Sequence, residues 1–597
     1  MSQYGPTLPF SEELHAEKYR GKGETFKEAT NRIAGTLEDS EGHFRAFRDA
    51  LLNMRFMPGG RIQNAIGSTK NCTAYNCYVA GKIADSFVAG DGAIMQIASE
   101  AAATMRMGGG IGYDFSTLRP CGDTIKKLQS QSSGPISFME IFDAICRCIA
   151  SSGHRRGAQM GIMRIDHPDI EDFIRSKQPP KAAQPIMEQL AKHRHGTPEW
   201  LAWYQALQAV FQLTGFNISV AVTDEFMKAL EANSEFPLRF NDKVYRTTNA
   251  TALWDMLMRS TWDWAEPGVI FIDTINRMNN LWYCEEIIAT NPCGEQPLPA
   301  HGACLLGSFN LTQYIVRSLG QTRPYFDFGE LIEDIPHVVR AMDNVIDKST
   351  YPLPQQEQEA KSKRRMGLGV TGLANALEVL GMPYGSDSFQ RMEMRILMTI
   401  ANEVYRASAL LAQEKGAFPL YDRKYLSSPF IQLLNDDVKA LIRQHGIRNS
   451  HLTSIAPTGT ISLCADNVSS GIEPVFSYSQ RRTVNMPSGQ VETDFDDYGK
   501  RVFGVRGKRC QDVTIVEHLD VLEIATRCVD SAVSKTCNVP ADTPWSDFKA
   551  LYVEAWNRGC KGITTFQVGG KRAGIIKSTD DAAACKIDLQ TGRKECE

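Results

Sequence analysis

The segment ATNPCGEQPL, residues 289–298, is the one around which this chain is organised. Its two prolines exclude a regular helix, because proline lacks an N–H and pushes the residue before it toward extended geometry. An extended backbone places alternate side chains on one face, so the segment predicts Asn291, Cys293 and Glu295 side by side over roughly 13 Å. That face joins an amide, a thiol and a carboxylate able to accept a proton at neutral pH. Such a set suits chemistry at a sulfur centre; the alternative is a polar loop with one buried cysteine.

A second thiol, Cys304, follows within GACLLGSFNL, residues 302–311. The apolar run around it predicts a buried strand that carries this thiol close to the first. The whole string NPCGEQPLPAHGACLLGSFNL, residues 291–311, resembles the radical-loop signature of ribonucleotide reductases. The resemblance implies an α/β fold, a ten-stranded α/β barrel of two five-stranded parallel halves, with the loop threaded as a finger through its centre. It also implies reduction of ribonucleotides to 2′-deoxyribonucleotides, in which Asn291, Cys293 and Glu295 act on the ribose.

The bulk properties indicate an ordinary soluble globular protein of 597 residues, with 43% apolar and 22% charged residues. A net charge of −4 gives no general attraction to nucleic acid or anionic membranes. No apolar run is long enough to span a membrane, and the N-terminus lacks the pattern of a signal peptide. Fifteen cysteines, an odd number, are too few for a disulfide scaffold and predict a cytoplasmic protein with reduced thiols. No Cys/His set has the spacing of a zinc site.

The resemblance pairs Cys304 with a cysteine on the first barrel strand, and Cys77 has the matching setting in NCYV, residues 76–79. Cys72 is the competing candidate. The plain alternative is that Cys77 is a buried core cysteine, since this residue type is often buried.

The resemblance also implies an allosteric site for a deoxynucleoside triphosphate at Asp85, Ser86 and Arg119. A helix cap and a surface salt bridge are the alternatives there. The doubly basic loop with Arg155 and Arg156 matches the loop that links effector to substrate base in the family, or else it is a solvated turn.

A second chemical stretch is HLTSIAPTGTIS, residues 451–462. A β-prone run ends at Pro457, which suits the first position of a helix, and N–H groups and hydroxyls at a helix start form an anion site. Thr458, Gly459, Thr460 and Ser462 are therefore predicted to hold the substrate phosphates. The alternative is a capped helix start.

The class of reductase follows from resemblance and elimination. Adjacent tyrosines near the C-terminus and a glycyl-radical tail are both absent, whereas Glu295 is present. What remains is the class that uses adenosylcobalamin, although no separate cobalamin motif is seen. The rival is a class I large subunit that needs a separate radical-generating subunit. Implied partners are a ribonucleotide, a dNTP effector, an external dithiol such as thioredoxin or glutaredoxin, and a second copy in a homodimer.

The domain organisation predicted is a helical N-terminal region at 1–55, a catalytic barrel at 56–575 and a flexible tail at 576–597. Helices are expected from Phe26 to Leu37, from Phe44 to Met54 and from Val88 to Met105. Residues 178–210 depart from the family and predict an inserted helical hairpin. Cys585 and Cys596 in the tail are candidates for an electron shuttle to the buried cysteine pair; a frayed terminus is the alternative.

Overall fold

A computed structural model describes residues 4–125, 128–151, 155–156, 158–180, 183–193, 197–200, 202–203, 206, 212–317, 323–486, 489–567, 585–588 and 593–596. Within them the strands, numbered in chain order, are β1 Phe56–Pro58, β2 Cys77–Val79, β3 Gly110–Asp114, β4 Thr124–Ile125, β5 Ser130–Gln131, β6 Ala150–Ser151, β7 Arg155–Arg156, β8 Gln159–Arg164, β9 Phe216–Val222, β10 Glu235–Phe240, β11 Lys243–Asn249, β12 Gly268–Phe271, β13 Ala289–Thr290, β14 Pro297–Leu298, β15 Ala303–Asn310, β16 Ile315–Val316, β17 Tyr325–Phe326, β18 Met366–Thr371, β19 Ser479–Met486, β20 Gly489–Asp496, β21 Thr536–Val539, β22 Gly562–Gln567, β23 Cys585–Asp588 and β24 Arg593–Cys596.

The α-helices of the described residues cover Pro9–Tyr19, Phe26–Leu37, Glu41–Leu52, Gly60–Ala65, Ile94–Arg106, Pro135–Cys148, Ile170–Arg175, Gln184–Lys192, Asp224–Glu231, Ala250–Trp264, Ile272–Arg277, Phe328–Lys348, Pro354–Lys363, Leu373–Val379, Asp387–Lys415, Pro429–Gln432, Asp436–His445, Gly459–Cys464, Ile515–Cys528 and Trp545–Asn557. None of the helices in this part of the chain is long and apolar enough to cross a membrane.

The fold is mixed α/β, with one ten-stranded sheet and many helices packed on it. The sheet runs β1-β15-β2-β3-β8-β9-β12-β22-β21, and β18 pairs with β15. Five consecutive strands, from β2 through β3, β8 and β9 to β12, are parallel. Helices connect several of them, because parallel neighbours need a crossover.

A second group of strands runs against the first. β15 is parallel to β18, and β21 is parallel to β22, whereas the pairings β2–β15 and β12–β22 are antiparallel. Two isolated parallel bridges, Leu368 to Thr453 and Ile455 to Val533, lie between β18 and the segment that leads into β21. The chain around 453–455 therefore runs alongside both β18 and the segment that leads into β21.

The N-terminal region is helical, as predicted, and the helix Phe26–Leu37 has the predicted bounds. It starts with a capping box in which Thr25 and Glu28 satisfy each other's backbone N–H groups. The next helix begins at Glu41 rather than Phe44, because Ser40 caps it. The predicted helix from Val88 begins only at Ile94, since Gly90 and Gly92 adopt positive φ in a loop closed by Ala84 N–H donating to Gly92 O.

Only part of the 178–210 insertion lies within the described residues. The helix Gln184–Lys192 belongs to it, and Trp200 lies nearby in a small apolar cluster with Ala183, Leu190 and Trp264. Because Trp264 belongs to a helix of the main body, the cluster attaches this part of the insertion to the rest of the molecule.

Candidate active site

The segment 289–298 forms a tight hairpin, not the extended face predicted from its sequence. β13 and β14 pair through Ala289–Leu298 and Thr290–Pro297. The turn between them is closed because Asn291 N–H donates to Gln296 O, and Gln296 N–H donates to the Asn291 side chain. Gly294 supplies the positive φ of 81° that the turn needs. The extended arrangement was wrong because these local hydrogen bonds bend the chain between its two prolines.

Glycines allow the hairpin to lie directly on the sheet. A Cβ at Gly112 of β3 would lie 1.8 Å from the Thr290 carbonyl oxygen, and one at Gly110 would lie 3.1 Å from Pro292. In the same way, a Cβ at Gly367 of β18 would lie 2.4 Å from the side-chain nitrogen of Gln296. Glycines of the string GLGVTG, residues 367–372, thus allow the hairpin and its neighbours to pack closely against β18.

Hydrogen bonds from distant parts of the chain fix the tip of the hairpin. Asn217 Nδ2 donates to the Pro292 carbonyl at 2.9 Å. The Glu295 carbonyl accepts from Ala532 N–H at 3.0 Å and from Ser454 Oγ at 3.2 Å. Sequence reasoning missed these three positioning residues. Only Ser454 carried a signal, because it lies within the second chemical stretch.

The three functional side chains at the tip of the hairpin differ in their exposure to solvent. Asn291 and Glu295 are buried, at 2% and 1%, whereas Cys293 is exposed. Asn291 Nδ2 donates to the Cys77 sulfur at 3.1 Å, and the Cys77 thiol donates to Glu295 Oε1 at 3.6 Å. An amide, a thiol and a carboxyl group therefore form one connected set.

Burial controls the protonation of this set. It raises the pKa of Glu295 to about 6, although hydrogen bonds from Asn291 and Cys77 act in the opposite direction. It also raises the pKa of Cys77 well above its ordinary value, with the Glu295 carboxylate adding to the effect. Glu295 Oε2 is buried and has no hydrogen-bond partner among the described residues. A carboxylate oxygen of this kind is ready to accept a proton from a bound molecule.

Cys304 lies directly opposite Cys77 in the antiparallel pair β2–β15. Directly opposed residues have Cα atoms about 4.5–5.5 Å apart, within the range of roughly 4.4–6.8 Å that a disulfide spans. All residues of β15 are buried, as the apolar run predicts. The competitor Cys72 is also buried but lies five residues before Cys77, outside the strand.

A cleft that is partly open to solvent lies over the hairpin; its empty space, including the part open to solvent, is about 1300 Å³. Cys77, Asn291, Cys293 and Glu295 line it. Residues 456–461 line it as well, and so do Lys18 and Tyr19 of the N-terminal helix. Asn76 is a further lining residue that sequence reasoning missed; its Oδ1 is buried and has no hydrogen-bond partner in the described part of the chain. The sequence feature that could have indicated Asn76 is its position next to Cys77.

Of the four predicted phosphate-binding residues, three line the cleft and one does not. Thr458, Gly459 and Thr460 line the cleft, but Ser462 does not; its hydroxyl donates to Gly459 O at 3.0 Å. Pro457 is not the first helical residue as predicted, because Thr458 adopts a left-handed φ of 53° and the helix begins at Gly459. Gly471 N–H donates to the Thr458 hydroxyl at 2.7 Å and holds this conformation.

The predicted effector residues lie close together. Arg119 Nε donates to Asp85 Oδ2 at 2.7 Å in a half-buried ion pair, and Ser86 bonds within its own turn to Ala89. Of the basic loop, the described backbone places Arg155 and Arg156 in β7, paired with β6. In the tail, β23 and β24 form a hairpin with Cys585 opposite Cys596.

The described residues contain no group of three or more His, Cys, Asp or Glu side chains placed to hold a metal ion.

The chain is similar to known proteins over most of its length. The family model described as "Ribonucleotide reductase, barrel domain" matches residues 76–498 and 505–566. The chain is 33% identical over 561 residues to the "Vitamin B12-dependent ribonucleoside-diphosphate reductase" of Mycobacterium tuberculosis (strain CDC 1551 / Oshkosh), covering 89% of this chain and 73% of the relative. It is 32% identical to the protein of the same name in Thermoplasma acidophilum, covering 92% and 68%. A "Vitamin B12-dependent ribonucleotide reductase" of Rhodopirellula baltica is 27% identical, covering 83% and 53%.

Proposed function

The chain belongs to the ribonucleotide reductase family, and from this premise we propose that it reduces ribonucleotides to 2′-deoxyribonucleotides in a vitamin B12-dependent reaction. The observation that carries the proposal is the connected set of Asn291, Cys77 and Glu295, which lies in one cleft with the exposed Cys293 and directly beside Cys304.

Glu295 acts as the proton acceptor for the ribose 3′-hydroxyl. Its Oε2 has no partner among the described residues and its pKa is raised to about 6, so it is ionised at neutral pH yet holds a proton more readily than an exposed carboxyl group. Asn291, whose side chain is already oriented by Gln296 N–H, fixes the hydroxyl groups of the sugar.

Cys293 is the residue that takes the hydrogen from ribose C3′ and later returns it. The residues present fit a radical-generating cofactor that enters from outside, because Cys293 is the exposed thiol of the cleft whereas Cys77 and Cys304 are buried. When bound, adenosylcobalamin supplies the one-electron oxidation of a thiol. The hairpin shields the other reacting groups, Asn291, Glu295, Cys77 and Cys304, from solvent.

Cys77 and Cys304 provide the two reducing equivalents. Each gives up one hydrogen, a disulfide forms between their sulfurs, and the ribose 2′-hydroxyl leaves as water. Their opposed positions on β2 and β15 support this, because the bond needs no rearrangement of the backbone.

The substrate phosphates lie at Thr458, Gly459 and Thr460, which line the cleft at the start of the helix Gly459–Cys464, where backbone N–H groups favour an anion. The names of the relatives in Mycobacterium and Thermoplasma favour a diphosphate substrate. Ser462 supports this loop from behind through its bond to Gly459.

Asp85, Ser86 and Arg119 are proposed to bind a dNTP effector at a homodimer interface, with Arg155 and Arg156 carrying its signal to the substrate base. The Asp85–Arg119 pair brings a ribose-binding carboxylate and a phosphate-binding guanidinium together, at the cost of having to open for a ligand. An external dithiol such as thioredoxin or glutaredoxin renews the cysteine pair, through Cys585 and Cys596, whose backbones are opposed in a hairpin. A reducing compartment such as the cytoplasm suits this chemistry.

The sheet is proposed to close into a ten-stranded barrel around the hairpin. The bridges Leu368–Thr453 and Ile455–Val533 support this, because they connect β18, through the chain at 453–455, to the segment that continues into β21. We also propose the division of the chain into a helical N-terminal region at 1–55, the catalytic barrel at 56–575 and a tail at 576–597.

The decisive experiment supplies purified protein with adenosylcobalamin, dithiothreitol and either CDP or CTP, and measures deoxycytidine nucleotides. We expect turnover without any second protein, and none from Cys293→Ser. Activity that required an added metal-radical subunit would instead support the class I alternative, which the names of the relatives do not favour.

A further inference from the structure

Cys77 and Cys304 lie side by side on β2 and β15, and a buried arginine, Arg365, immediately precedes the neighbouring strand β18. Cys304 is opposite Cys77 on β2, and β15 pairs on its other side with β18 in the register Leu305–Met366. One residue back along both parallel strands, Cys304 and Arg365 are at matching positions. Residues in register on neighbouring strands point to the same face. Arg365 is 2% exposed, so its charge acts within the protein interior.

Arg365 is fixed by partners on every side but one. One terminal nitrogen pairs with Glu285, and the other donates to His451 Nδ1 at 3.1 Å. Its Nε is buried and has no hydrogen-bond partner among the described residues; the nearest carboxylate oxygen is Glu359 Oε1 at 3.7 Å. Lys363 completes a cluster of two cations and two carboxylates. A guanidinium N–H without a hydrogen-bond partner in the described part of the chain is therefore held at the residue that precedes β18, the strand next to β15.

The two cysteines have opposite electrostatic surroundings. Cys77 is beside the Glu295 carboxyl group, which raises the pKa of this thiol beyond the effect of burial alone. Burial also raises the pKa of Cys304, but there Arg365 acts against it, with weaker opposing effects from Asp530, Glu295 and Glu359. Arg365 thus places a positive charge near Cys304, whereas a carboxyl group lies beside Cys77. Access is opposite as well: Cys77 lines the cleft, whereas Cys304 is 0% exposed and does not.

We propose that Arg365 is a positioning residue that gives reduction of the cysteine pair a fixed direction, with attack at Cys77 and departure of Cys304. This rests on the proposed function. A thiolate of an external dithiol attacks Cys77 Sγ from the cleft. The Cys77–Cys304 bond breaks, its electron pair remains on Cys304 Sγ next to Arg365, and a mixed disulfide with Cys77 forms. The second thiolate of the dithiol then attacks the reductant's own sulfur and releases Cys77, and the two protons of the dithiol go to the two cysteines. A better-stabilised leaving thiolate departs faster.

The test uses the full-length chain with Cys293→Ser, which removes the nearest competing thiol. The pair is oxidised with diamide, and mass spectrometry first establishes that the Cys77–Cys304 disulfide has formed. Limiting 2-mercaptoethanol is added, and the reaction is stopped in acid urea that contains N-ethylmaleimide. Peptide mapping then shows which cysteine carries mercaptoethanol and which carries the maleimide.

We expect mercaptoethanol on Cys77 and maleimide on Cys304. The reverse pattern, or equal labelling of both, would refute the fixed direction and leave the proposed reductase function intact. Failure of the disulfide to form at all would refute both, because the pair itself would then not exist.

Variants test the part played by Arg365. Arg365→Met is expected to slow reduction of the disulfide by about tenfold or more, as for loss of a charge-assisted hydrogen bond, and Arg365→Lys should restore part of the rate. Glu285→Gln removes a negative charge that compensates Arg365, so more of the positive charge is available to the Cys304 thiolate and reduction of the disulfide should be faster. If Arg365 served only the structure, this variant would not speed the reaction. Arg364→Met is the matched control, since Arg364 is equally buried but pairs with Asp343 and Asp347. Equal slowing by Arg364→Met and Arg365→Met, or slowing by Glu285→Gln, would overturn the assignment.

Discussion

Replacing Glu295 with glutamine separates the chemical role of its carboxyl group from the space it fills. Burial raises the pKa of Glu295 to about 6, against an ordinary value of 4.5. At roughly 1.4 kcal/mol per pKa unit, this corresponds to about 2 kcal/mol by which burial disfavours the ionised form. Below pH 4.5 both the folded and the unfolded chain hold the proton, and the stability is fully present. As the pH rises through 6 the folded protein must carry the buried charge, and that stability is lost.

Glu295→Gln removes this pH dependence because glutamine does not ionise. At about 2.1 cal/mol/K per residue, a chain of 597 residues unfolds with an entropy of roughly 1.3 kcal/mol/K. The melting temperature of the variant relative to wild type should therefore be about 1.5 °C higher at pH 8 than at pH 4.5. Differential scanning fluorimetry at both pH values measures the difference. Turnover should fall by about 10²- to 10⁴-fold, as for loss of a general base, while wild-type kcat/KM rises as the pH passes 6.

Two results would refute the reasoning. A Glu295→Gln enzyme that kept half of the wild-type turnover would show that no proton passes to this carboxylate. A melting difference that was the same at both pH values would show that Glu295 is not buried in the form described. Glu357→Gln is a suitable control, because the Glu357 side chain is 46% exposed, pairs with Lys361 at the surface and does not line the cleft.

Further predictions follow from the same geometry. Cys293→Ser should abolish deoxynucleotide formation while leaving the melting temperature within about 1 °C of wild type, since the side chain is exposed. Cys304→Ser should prevent formation of the diamide-induced disulfide in peptide maps and eliminate multiple turnover. Gly112→Ala should displace the hairpin, because the new Cβ would meet the Thr290 carbonyl at 1.8 Å; we expect a loss of about 1–3 kcal/mol in urea unfolding together with loss of activity. Gly35→Ala, in a helix with only one ordinary contact at 3.8 Å, should be neutral or stabilising. Arg119→Ala should cost less than about 1 kcal/mol of stability but raise the dNTP concentration needed for half-maximal stimulation, measured by titration.

The sequence predicted those features that depend on local patterns. The buried strand around Cys304 and the helix Phe26–Leu37 both follow from the pattern of apolar residues, and the structure contains them. The family followed from the long string at 291–311, and the match to the family model confirms it. The cofactor followed from resemblance and elimination, and several relatives are named as vitamin B12-dependent reductases.

Features that depend on contacts between distant residues could not be predicted in this way. Pattern rules treat 289–298 as an extended stretch, because they do not include the Asn291–Gln296 bond that bends it. They place the helix start at Pro457, because they do not include Gly471, whose N–H holds Thr458 in a left-handed conformation. The arginine beside Cys304 was likewise invisible, since only the register of β15 and β18 brings it there.

The anchoring of the Glu295 carbonyl by Ser454 and Ala532 has a consequence for how the protein is made. These partners are synthesised 159 and 237 residues after the residue they hold. On the ribosome, the thiol at 293 emerges long before the backbone that orients it. The reactive geometry is therefore assembled only when nearly the entire chain has been translated, and a truncated product carries the cysteines without the means to use them.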